Sequence, residues 1–283
     1  MTRARESLGR VAAAVMRVEN ACVHDEDREL FRDRRRAESF GSAAELYDAT
    51  RPSYPNELIE WLSSTATGRA VDVGCGTGRV ARLLAVAGWR VVGVEADERM
   101  AAVARSHGLD VVVSRFEDWR PEDHFDLVCA GQAWHWIDPQ VGYEHAAEVL
   151  RPGGHLAVFW NTYHYSPATM AVFTAVLEER APHLLIDSVP FGTAKPDHSD
   201  LDAEMVRSAE RWFEEPEFRV FHHGRVQSVE DWLAESVTHS PVAMLDDDTR
   251  SAVLADLRVA LTEHVGGQID VRYETRVTSA RRR

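Results

Sequence analysis

The chain has 283 residues and is 45% hydrophobic, which is enough to bury a full core in one large domain with additions. Its formal net charge is −14 at pH 7, so its surface as a whole repels a phosphate backbone and argues against a nucleic-acid partner. Three distant cysteines without a C-x-x-C pair argue against both a disulfide framework and a zinc site, and they predict a cytoplasmic protein that holds no metal. No stretch is apolar and long enough to suggest a membrane span.

The first 38 residues predict a charged extension, either helical or flexible. Its apolar run at Val11–Met16 is too short for a secretory signal, and Arg34, Arg35 and Arg36 are consecutive charges typical of a solvated surface. We assign this extension no role and expect residues 39–283 to form a single domain.

From residue 70 the sequence alternates between apolar runs and amphipathic segments. It predicts strands at 70–74, 90–95, 109–113, 125–130 and 155–160, and helices at 79–87, 98–107 and 139–150. Asp97 and Asp138 are candidate helix N-caps, and 151–154 has the composition of a turn. This alternation, with strands that are nearly continuously apolar, indicates a doubly wound α/β fold with a mostly parallel sheet.

Beyond Asn161 the pattern loosens. A helix at 168–180 precedes a polar, proline-containing stretch, and residues 181–205 are either a lid or a surface excursion. Residues 217–283 predict a strand at 218–226, a helix from Val229 capped by Ser228, a helix at 249–264 and a final strand of strict alternation. The polar face of this last strand favours a position at or near the sheet edge.

The most informative segment is Asp72-Val73-Gly74-Cys75-Gly76-Thr77-Gly78, which follows an apolar strand and opens an amphipathic helix. Such glycines let the backbone approach a nucleotide-like ligand closely. A dinucleotide fingerprint would need its third glycine at position 79, where this chain has Arg79, and no glycine is followed by the Lys-Ser or Lys-Thr of a P-loop. The adjacent Asp72 suits a cationic ligand better than a phosphate.

Here the sequence resembles the class I S-adenosylmethionine-dependent methyltransferases, whose first motif is D-x-G-x-G-x-G. The resemblance runs from about Phe40 to Asn161, and it implies a seven-stranded sheet whose last strand is antiparallel. It also implies that residues 70–161 form the core that binds S-adenosylmethionine, with Asp72, Gly74, Gly76 and Gly78 at the cofactor.

Two further segments lie where that family has cofactor motifs, although the second departs from the family pattern by placing Arg115 and Phe116 ahead of Glu117. Glu95 ends the second strand, with Ala96 beside it, and a carboxylate there can accept both ribose hydroxyl hydrogens; the alternative role of helix cap is better suited to Asp97. After the third strand, Phe116 could stack on the adenine and Glu117 could face the edge of the base. An ordinary loop packed on the sheet is the alternative for both.

The fourth strand leads into Gln132-Ala133-Trp134-His135-Trp136, where a cofactor and its acceptor should meet. Gln132 is a candidate cofactor ligand, while Trp134 and Trp136 are candidate acceptor contacts. His135 is the candidate general base, and a packed structural histidine is the alternative. Aromatic residues after the fifth strand, Trp160 and Tyr163, complete the predicted acceptor wall.

The segment Phe40–Pro55, called here the lead segment, resembles the corresponding segment of type 11 small-molecule methyltransferases, including those similar to trans-aconitate methyltransferases. There a Tyr and an Arg-Pro-x-Tyr-Pro turn fold over the cofactor site. The resemblance implies that Tyr47 and Arg51 hold the methionine carboxylate or an acidic acceptor, since the planar fork of arginine suits carboxylates. A core tyrosine and a surface ion pair are the alternatives.

We therefore expect a methyltransferase that acts on a small molecule by direct displacement. A protein of this fold that binds the cofactor without methyl transfer, whether regulatory, lyase or cyclase, is the alternative. A nucleic-acid methyltransferase is disfavoured by the charge and by the lack of an Asn-Pro-Pro-Tyr or Asp-Pro-Pro-Tyr motif. The oligomeric state and the identity of the acceptor are left open.

Overall fold

The computed structural model describes residues 40–185, 189–192, 207 and 211–283. The predicted extension at 1–38 lies outside these residues, and so does most of the predicted lid, at 186–188 and 193–205. Both assignments stay predictions.

Seven described strands form a single sheet: β1 (Arg69–Val73), β2 (Arg90–Glu95), β3 (Asp110–Val113), β4 (Phe125–Gly131), β5 (Leu150–His164), β6 (Glu217–Ser228) and β7 (Gln268–Arg281). Their order across the sheet is β3-β2-β1-β4-β5-β7-β6. Strands β1 to β5 are parallel, and β7 runs antiparallel to both β5 and β6. The predicted doubly wound, seven-stranded sheet with an antiparallel last strand is confirmed.

The helices that lie wholly within the described ranges are α1 (Ala44–Thr50), α2 (Asn56–Thr65), α3 (Arg79–Val86), α4 (Glu98–Ser106), α5 (Pro139–Val149), α6 (Pro167–Arg180), α7 (Val229–Ser236), α8 (Ser240–Ala243) and α9 (Asp247–Val265). Short 3-10 turns lie at Phe40–Ala43, Phe116–Asp118, Trp134–Trp136, Pro182–Leu185 and Val189–Phe191. No helix in the described ranges is long and apolar enough to cross a membrane.

Local signals in the sequence fix several helix starts. Asp97 accepts a hydrogen bond from the Arg99 amide, Asp138 accepts one from the Gln140 amide, and Ser228 accepts one from the Asp231 amide, so all three predicted caps are confirmed. Each cap satisfies an amide that the first helical turn leaves without a partner.

The main local difference is in β5, which begins at Leu150 rather than at 155. The predicted turn at 151–154 lies inside the strand, because Gly153 adopts a φ of +80° and the pairing between β4 and β5 shifts register between Phe125 and Leu127. A bulge therefore absorbs the glycines without ending the strand.

Helices cover both faces of the parallel part of the sheet. Leu62 of α2 and Leu84 of α3 pack with Leu127 on one face, while Tyr143 and Ala146 of α5 pack with Val128 on the other. These strands therefore need apolar side chains on both faces, which explains their nearly continuous apolar runs.

The antiparallel end of the sheet has its own core. Side chains of α6, α7 and α9 cluster against one face of β7, where Val271 and Tyr273 are buried. The predicted alternation of the last strand is confirmed, and β7 lies second from the edge, with β6 outside it. This arrangement places α7 and the end of β5 side by side near the carboxyl edge of the parallel strands.

Candidate active site

An open cavity of about 480 Å³ lies at the carboxyl ends of β1, β4 and β5. This is the position where open α/β sheets bind ligands. The predicted site residues that line it come from three regions: Tyr47 and Arg51 from α1 and its C-terminus, Asp72, Gly74 and Gly76 from the glycine loop, and Gln132 and Tyr163 from β4 and β5. The structure thus brings residues that lie 116 positions apart in sequence (47 to 163) into one cavity.

The glycine loop uses its glycines in two ways. Gly74 and Gly76 line the cavity with φ values of +61° and +56°, a left-handed conformation that side chains disfavour. A Cβ on Gly74 would lie 2.6 Å from the Cβ of Ala133. Gly78 does not line the cavity; it caps α3 and packs against α4, where a Cβ would meet the side chains of Leu109 and Ala104. Its requirement is therefore helix packing, and its predicted contact with a cofactor remains a prediction.

Asp72 lies beneath the loop, with 1% of its surface exposed. Its carboxylate accepts hydrogen bonds from the Ala81 amide at 3.0 Å and from the Cys129 thiol at 4.0 Å, and it pairs with no cation among the described residues. Burial and, to a smaller degree, the charge of Glu95 raise the pKa of Asp72 to about 8, against the lowering effect of the hydrogen bond from Ala81. A positively charged group in the cavity would offset this cost, which fits the cationic ligand that the sequence predicts.

Glu95 borders the cavity without lining it. Its two carboxylate oxygens accept hydrogen bonds from the amides of Gly76 at 2.8 Å and Asp97 at 2.9 Å, and burial raises the pKa of this carboxyl. Each oxygen keeps a further lone pair, so the carboxylate can still accept hydroxyl hydrogens. Ala96 follows it and is exposed.

Arg51 and Tyr47 form the opposite end of the cavity. The guanidinium of Arg51 lies 4.7 Å from the centre of the Tyr47 ring, and its Nε and Nη2 donate to Oγ1 and the carbonyl oxygen of Thr238, each at 2.8 Å. Arg51 has no carboxylate partner in the described part of the chain, so the predicted alternative of a surface ion pair does not apply. Its cationic charge remains available to an anionic ligand.

Arg79 also lines the cavity, although its place in the sequence served only to exclude a dinucleotide motif. Its guanidinium donates to the carbonyl oxygens of Asp48 at 2.6 Å and Pro52 at 3.2 Å, and also to that of Arg51. It therefore ties the start of α3 to the lead segment. Its position directly after the glycine loop is the feature of the sequence that could have identified Arg79 as a residue of the cavity.

Gln132 has the conformation expected at a functional position. It is the one non-glycine residue in the described ranges with a positive φ, at +58°, and it lines the cavity. Its side-chain amide donates to the Asn161 carbonyl oxygen at 3.1 Å, while its own backbone amide donates to Phe159. These bonds hold the strained residue in place at the end of β4.

The predicted aromatic acceptor wall lies elsewhere. Phe116 and Trp134 are buried in the core with ring centres 6.0 Å apart, covered by Tyr143 and His145 of α5. This corrects the stacking role expected of Phe116 and the acceptor contact expected of Trp134, and it favours the packing alternative. The physical reason is that the strand-end aromatics fill the space beneath α5 instead of pointing into the cavity.

His135, Trp136 and Trp160 do not line the cavity either. The Trp160 indole donates to Nδ1 of His135 at 3.2 Å, and the His135 and Trp136 rings are 4.8 Å apart. The structure therefore favours a packed histidine over the predicted general base. Glu117 is similarly engaged, since its Oε1 accepts from Arg115 at 2.8 Å and from the Asp138 amide at 3.1 Å.

Tyr163 lines the cavity, and its hydroxyl bonds a buried carboxylate. It donates to Oε1 of Glu235 at 2.9 Å, and both side chains are buried. Nothing in the sequence between β6 and α8 marked Glu235 or Thr238 as neighbours of the site, because the contact depends on how β6 and β7 return to the sheet.

The described ranges contain neither a cluster of metal-ligating side chains nor an activated thiol. No group of three or more metal-ligating side chains occurs there. Cys75 and Cys129 are buried free thiols, and burial raises the pKa of both. Neither is therefore an activated nucleophile.

Comparison with known proteins agrees with this geometry. Residues 71–158 match a family described as a methyltransferase domain. An uncharacterised methyltransferase of Mycobacterium tuberculosis is 42% identical over 127 residues, which cover 44% of this chain and 52% of that protein. The trans-aconitate 2-methyltransferase of the same species is 30% identical over 150 residues, which cover 50% of this chain and 54% of that enzyme. The chain thus spans about half the length of the curated relatives it matches.

The fold is shared with solved structures. A putative type II methyltransferase from Anaeromyxobacter dehalogenans superimposes with a TM-score of 0.56 at 23% identity, covering 82% of this chain and 97% of that chain. A putative methyltransferase from an antibiotic biosynthesis pathway of Anabaena variabilis gives 0.53 at 16% identity, covering 78% of this chain and 96% of that chain.

Proposed function

Because the chain carries a class I S-adenosylmethionine-dependent methyltransferase domain, we propose that it transfers a methyl group from S-adenosylmethionine to a small-molecule acceptor. The methyl group passes by direct displacement: the acceptor's electron pair forms the new bond to carbon while the carbon–sulfur bond breaks and its electrons return to sulfur. The reaction leaves S-adenosylhomocysteine.

The observation that carries this proposal is a carboxyl group and a guanidinium that line one cavity: Asp72, whose pKa of about 8 leaves it mostly protonated at pH 7 until a cation binds, and the cationic Arg51. Asp72 is buried without a cationic partner and Arg51 has no carboxylate partner, in both cases within the described ranges, yet both line the same cavity. A zwitterionic amino-acid end satisfies both at once, with its ammonium group at Asp72 and its carboxylate at Arg51. The methionine moiety of the methyl donor has this charge pattern.

The order of the strands extends this fit to the rest of the donor. Glu95 ends β2, the glycine loop follows β1, Gln132 follows β4, and Tyr163 lies near the end of β5. Three steps between neighbouring strands, each about 4.8 Å, separate the first from the last, roughly 14 Å in all. This span supports an extended ligand with its ribose at Glu95 and its amino-acid end toward β5.

When bound, S-adenosylmethionine supplies the activated methyl group, and the protein's own task is positioning. With His135 outside the cavity, the lining residues support an acceptor that arrives already deprotonated, such as a carboxylate. The similarity to trans-aconitate 2-methyltransferase supports the same class, because that enzyme's name specifies an organic acid. We therefore propose a carboxylic acid as the acceptor.

Binding of the donor is tested with two ligands that differ at the amino-acid end. S-adenosylhomocysteine carries the ammonium and carboxylate groups, and 5′-methylthioadenosine lacks both. Arg51→Met should weaken S-adenosylhomocysteine about tenfold or more, the loss of a charged hydrogen bond, and leave methylthioadenosine unchanged in calorimetry. Equal weakening of both ligands contradicts the assignment of Arg51 to the carboxylate.

Transfer is tested by incubating the protein with methyl-labelled donor and a library of organic acids that includes trans-aconitate. Labelled ester is the expected product. Tight binding of the donor with no label transferred to any member favours the alternative, a cofactor-binding protein of this fold. Asp72→Ala and Glu95→Ala should abolish donor binding, and unchanged affinity in both variants contradicts the cofactor site itself.

A further inference from the structure

A buried polar cluster lies directly behind the basic end of the cavity. Its centre is Glu235 of α7, which is 1% exposed. Oε1 of this carboxylate accepts from the Tyr163 hydroxyl at 2.9 Å, and Oε2 accepts from Nη2 of Arg225 at 2.6 Å and from the side-chain amide of Gln227 at 3.2 Å. One carboxylate therefore joins β5, β6 and α7.

The same cluster also holds the C-terminal end of α1. Arg225 Nη2 donates to the Thr50 carbonyl oxygen at 2.8 Å, in addition to its bond with Glu235. Thr238 donates through Oγ1 to the Glu235 carbonyl oxygen at 2.6 Å and receives two hydrogen bonds from Arg51. The Glu235 carboxylate thus contacts Tyr163 directly and reaches the backbone next to Arg51 through Arg225 and the Thr50 carbonyl oxygen, whereas the bond from Thr238 uses the main-chain carbonyl of Glu235.

Nearby positive charges keep the carboxyl group of Glu235 ionised. Burial alone would raise the pKa of Glu235, but the positive charges of Arg225 and Arg51 favour the ionised form and hold the pKa below its usual range. The His239 ring is itself buried, which lowers its pKa to about 4, so it is neutral at pH 7. Glu235 is therefore an ionised group whose main charged partner is Arg225.

Stability alone gives a poor reason for this arrangement. Nε2 of His239 lies 3.7 Å from Oε1 of Glu235, beyond hydrogen-bond length, and has no hydrogen-bond partner in the described ranges. A buried ionic network with an unsatisfied member is commonly no more stable than well-packed apolar side chains. What the cluster does supply is fixed positions for two side chains of the cavity wall.

We propose that Glu235 is a positioning residue for the methionine end of the site: its carboxylate holds Tyr163 directly and, through Arg225 and the Thr50 carbonyl oxygen, the backbone at Arg51, so that Arg51 presents its charge to the donor's carboxylate. This inference rests on the proposed function for its ligand, although the positioning itself can be measured without one. Two of its links, Tyr163 to Glu235 and Arg225 to Thr50, span 72 and 175 residues in sequence. The C-terminal segment is therefore part of the site, not only of the sheet.

The experiment compares Glu235→Gln with Tyr163→Phe, a milder change that removes only the hydroxyl bound by Glu235. The control is Glu230→Gln, which lies on the same helix and forms an exposed ion pair with Arg258. Hydrogen exchange of the backbone amides of residues 44–54 reports the position of the lead segment without a ligand. Glu235→Gln should speed this exchange about tenfold, while the control matches the wild type.

The ligand arm uses S-adenosylhomocysteine and 5′-methylthioadenosine. Glu235→Gln should weaken the former about tenfold and leave the latter unchanged, and Tyr163→Phe should do the same to a smaller degree. A lower thermal midpoint with unchanged exchange and unchanged ligand affinities would show a merely structural role and overturn the proposal. If the wild type binds neither ligand, the proposed function fails, and the exchange of residues 44–54 alone decides whether Glu235 positions this segment.

Discussion

Asp72 illustrates how a single residue can be costly for the fold and useful to the site. The pKa of this carboxyl is about 8 in the folded protein, against 3.8 for an ordinary aspartate, because burial disfavours its charge. Between these two values the folded state holds more protons than the unfolded chain. The contribution of Asp72 to the stability of the ligand-free protein is therefore present in full below about pH 4 and is lost as the pH rises toward 8.

Binding of the donor should have the opposite dependence on pH. A cationic ammonium group favours the ionised form of Asp72, so binding releases a proton below pH 8. Affinity for S-adenosylhomocysteine should therefore rise by up to about tenfold per pH unit between about pH 6 and 7.5. Calorimetry in buffers of different ionisation enthalpy measures the released proton directly.

The matched variants separate this effect from general changes with pH. Asp72→Asn should remove both the proton release and the dependence of affinity on pH, whereas Asp270→Asn, a change at an exposed residue, should leave both intact. A slope that persists in Asp72→Asn would assign the titration to another group.

Gly74 allows a second test at the residue scale. Gly74 and Gly88 both have positive φ values, +61° and +93°, but a Cβ on Gly74 would lie 2.6 Å from Ala133 while a Cβ on Gly88 meets nothing within 4 Å. Gly88→Ala should lower the free energy of unfolding by about 1–2 kcal/mol, the cost of the left-handed conformation. Gly74→Ala should lower the free energy of unfolding by about 1–3 kcal/mol more than Gly88→Ala does, because its Cβ also overlaps Ala133. Urea unfolding of the two variants measures this difference, and equal losses would mean that the loop has room to adjust.

At the scale of elements, the lead segment is held by contacts from two directions. Arg79 at the start of α3 donates to three of its carbonyl oxygens, and Thr238 after α7 accepts from Arg51. A guanidinium can bond three carbonyls at once because its donors form a rigid planar fork. The position of this segment over the cavity therefore depends on arginine itself and not on positive charge alone.

Arg79→Lys tests that dependence. Lysine keeps the charge but cannot reproduce the planar set of donors, so affinity for S-adenosylhomocysteine should fall about tenfold and the thermal midpoint should drop. Arg82→Lys is the control, because Arg82 lies on the same helix and reaches the segment through one partly exposed ion pair with Asp48. It should change affinity less than twofold. Equal losses in both variants would indicate that charge near Asp48 is what the segment requires.

Elements with local signals could be predicted from the sequence, and elements defined by distant contacts could not. The glycine loop, the caps at Asp97 and Asp138 and the alternation in β7 depend on residues close in sequence. The aromatic run at 134–136 appeared to belong to the acceptor because it follows a strand, but α5 covers Trp134, and only the packing of that helix reveals it. Glu235 was missed because its partners lie on β5 and β6, and no spacing in the sequence connects them.

At the scale of the whole molecule, the sheet topology converts two separate sequence regions into one site. The parallel strands β1, β4 and β5 supply the glycine loop, Gln132 and Tyr163, while the return of β6 and β7 brings α7 against the same edge. The family match at 71–158 covers the glycine loop and Gln132 and ends before Tyr163 and before the second region. The glycine loop and Gln132 thus lie within the matched range, whereas Arg51, Tyr163 and the residues of α7 lie outside it.

The net charge of −14 favours a small acid over a nucleic acid as the acceptor. A polyanion approaching this protein meets long-range repulsion that salt screens only beyond about 8–10 Å, whereas a small acid needs only the local charge of Arg51. Labelled duplex DNA and single-stranded RNA should therefore show no anisotropy change up to about 10 μM protein at low salt, where electrostatic attraction would be strongest. Under the same conditions trans-aconitate should protect the complex with S-adenosylhomocysteine against thermal unfolding, because a ligand that binds only the folded state raises its midpoint. Binding of the nucleic acid without such protection would reverse the proposed class of acceptor, since it would require a local basic surface able to overcome the charge of the whole molecule.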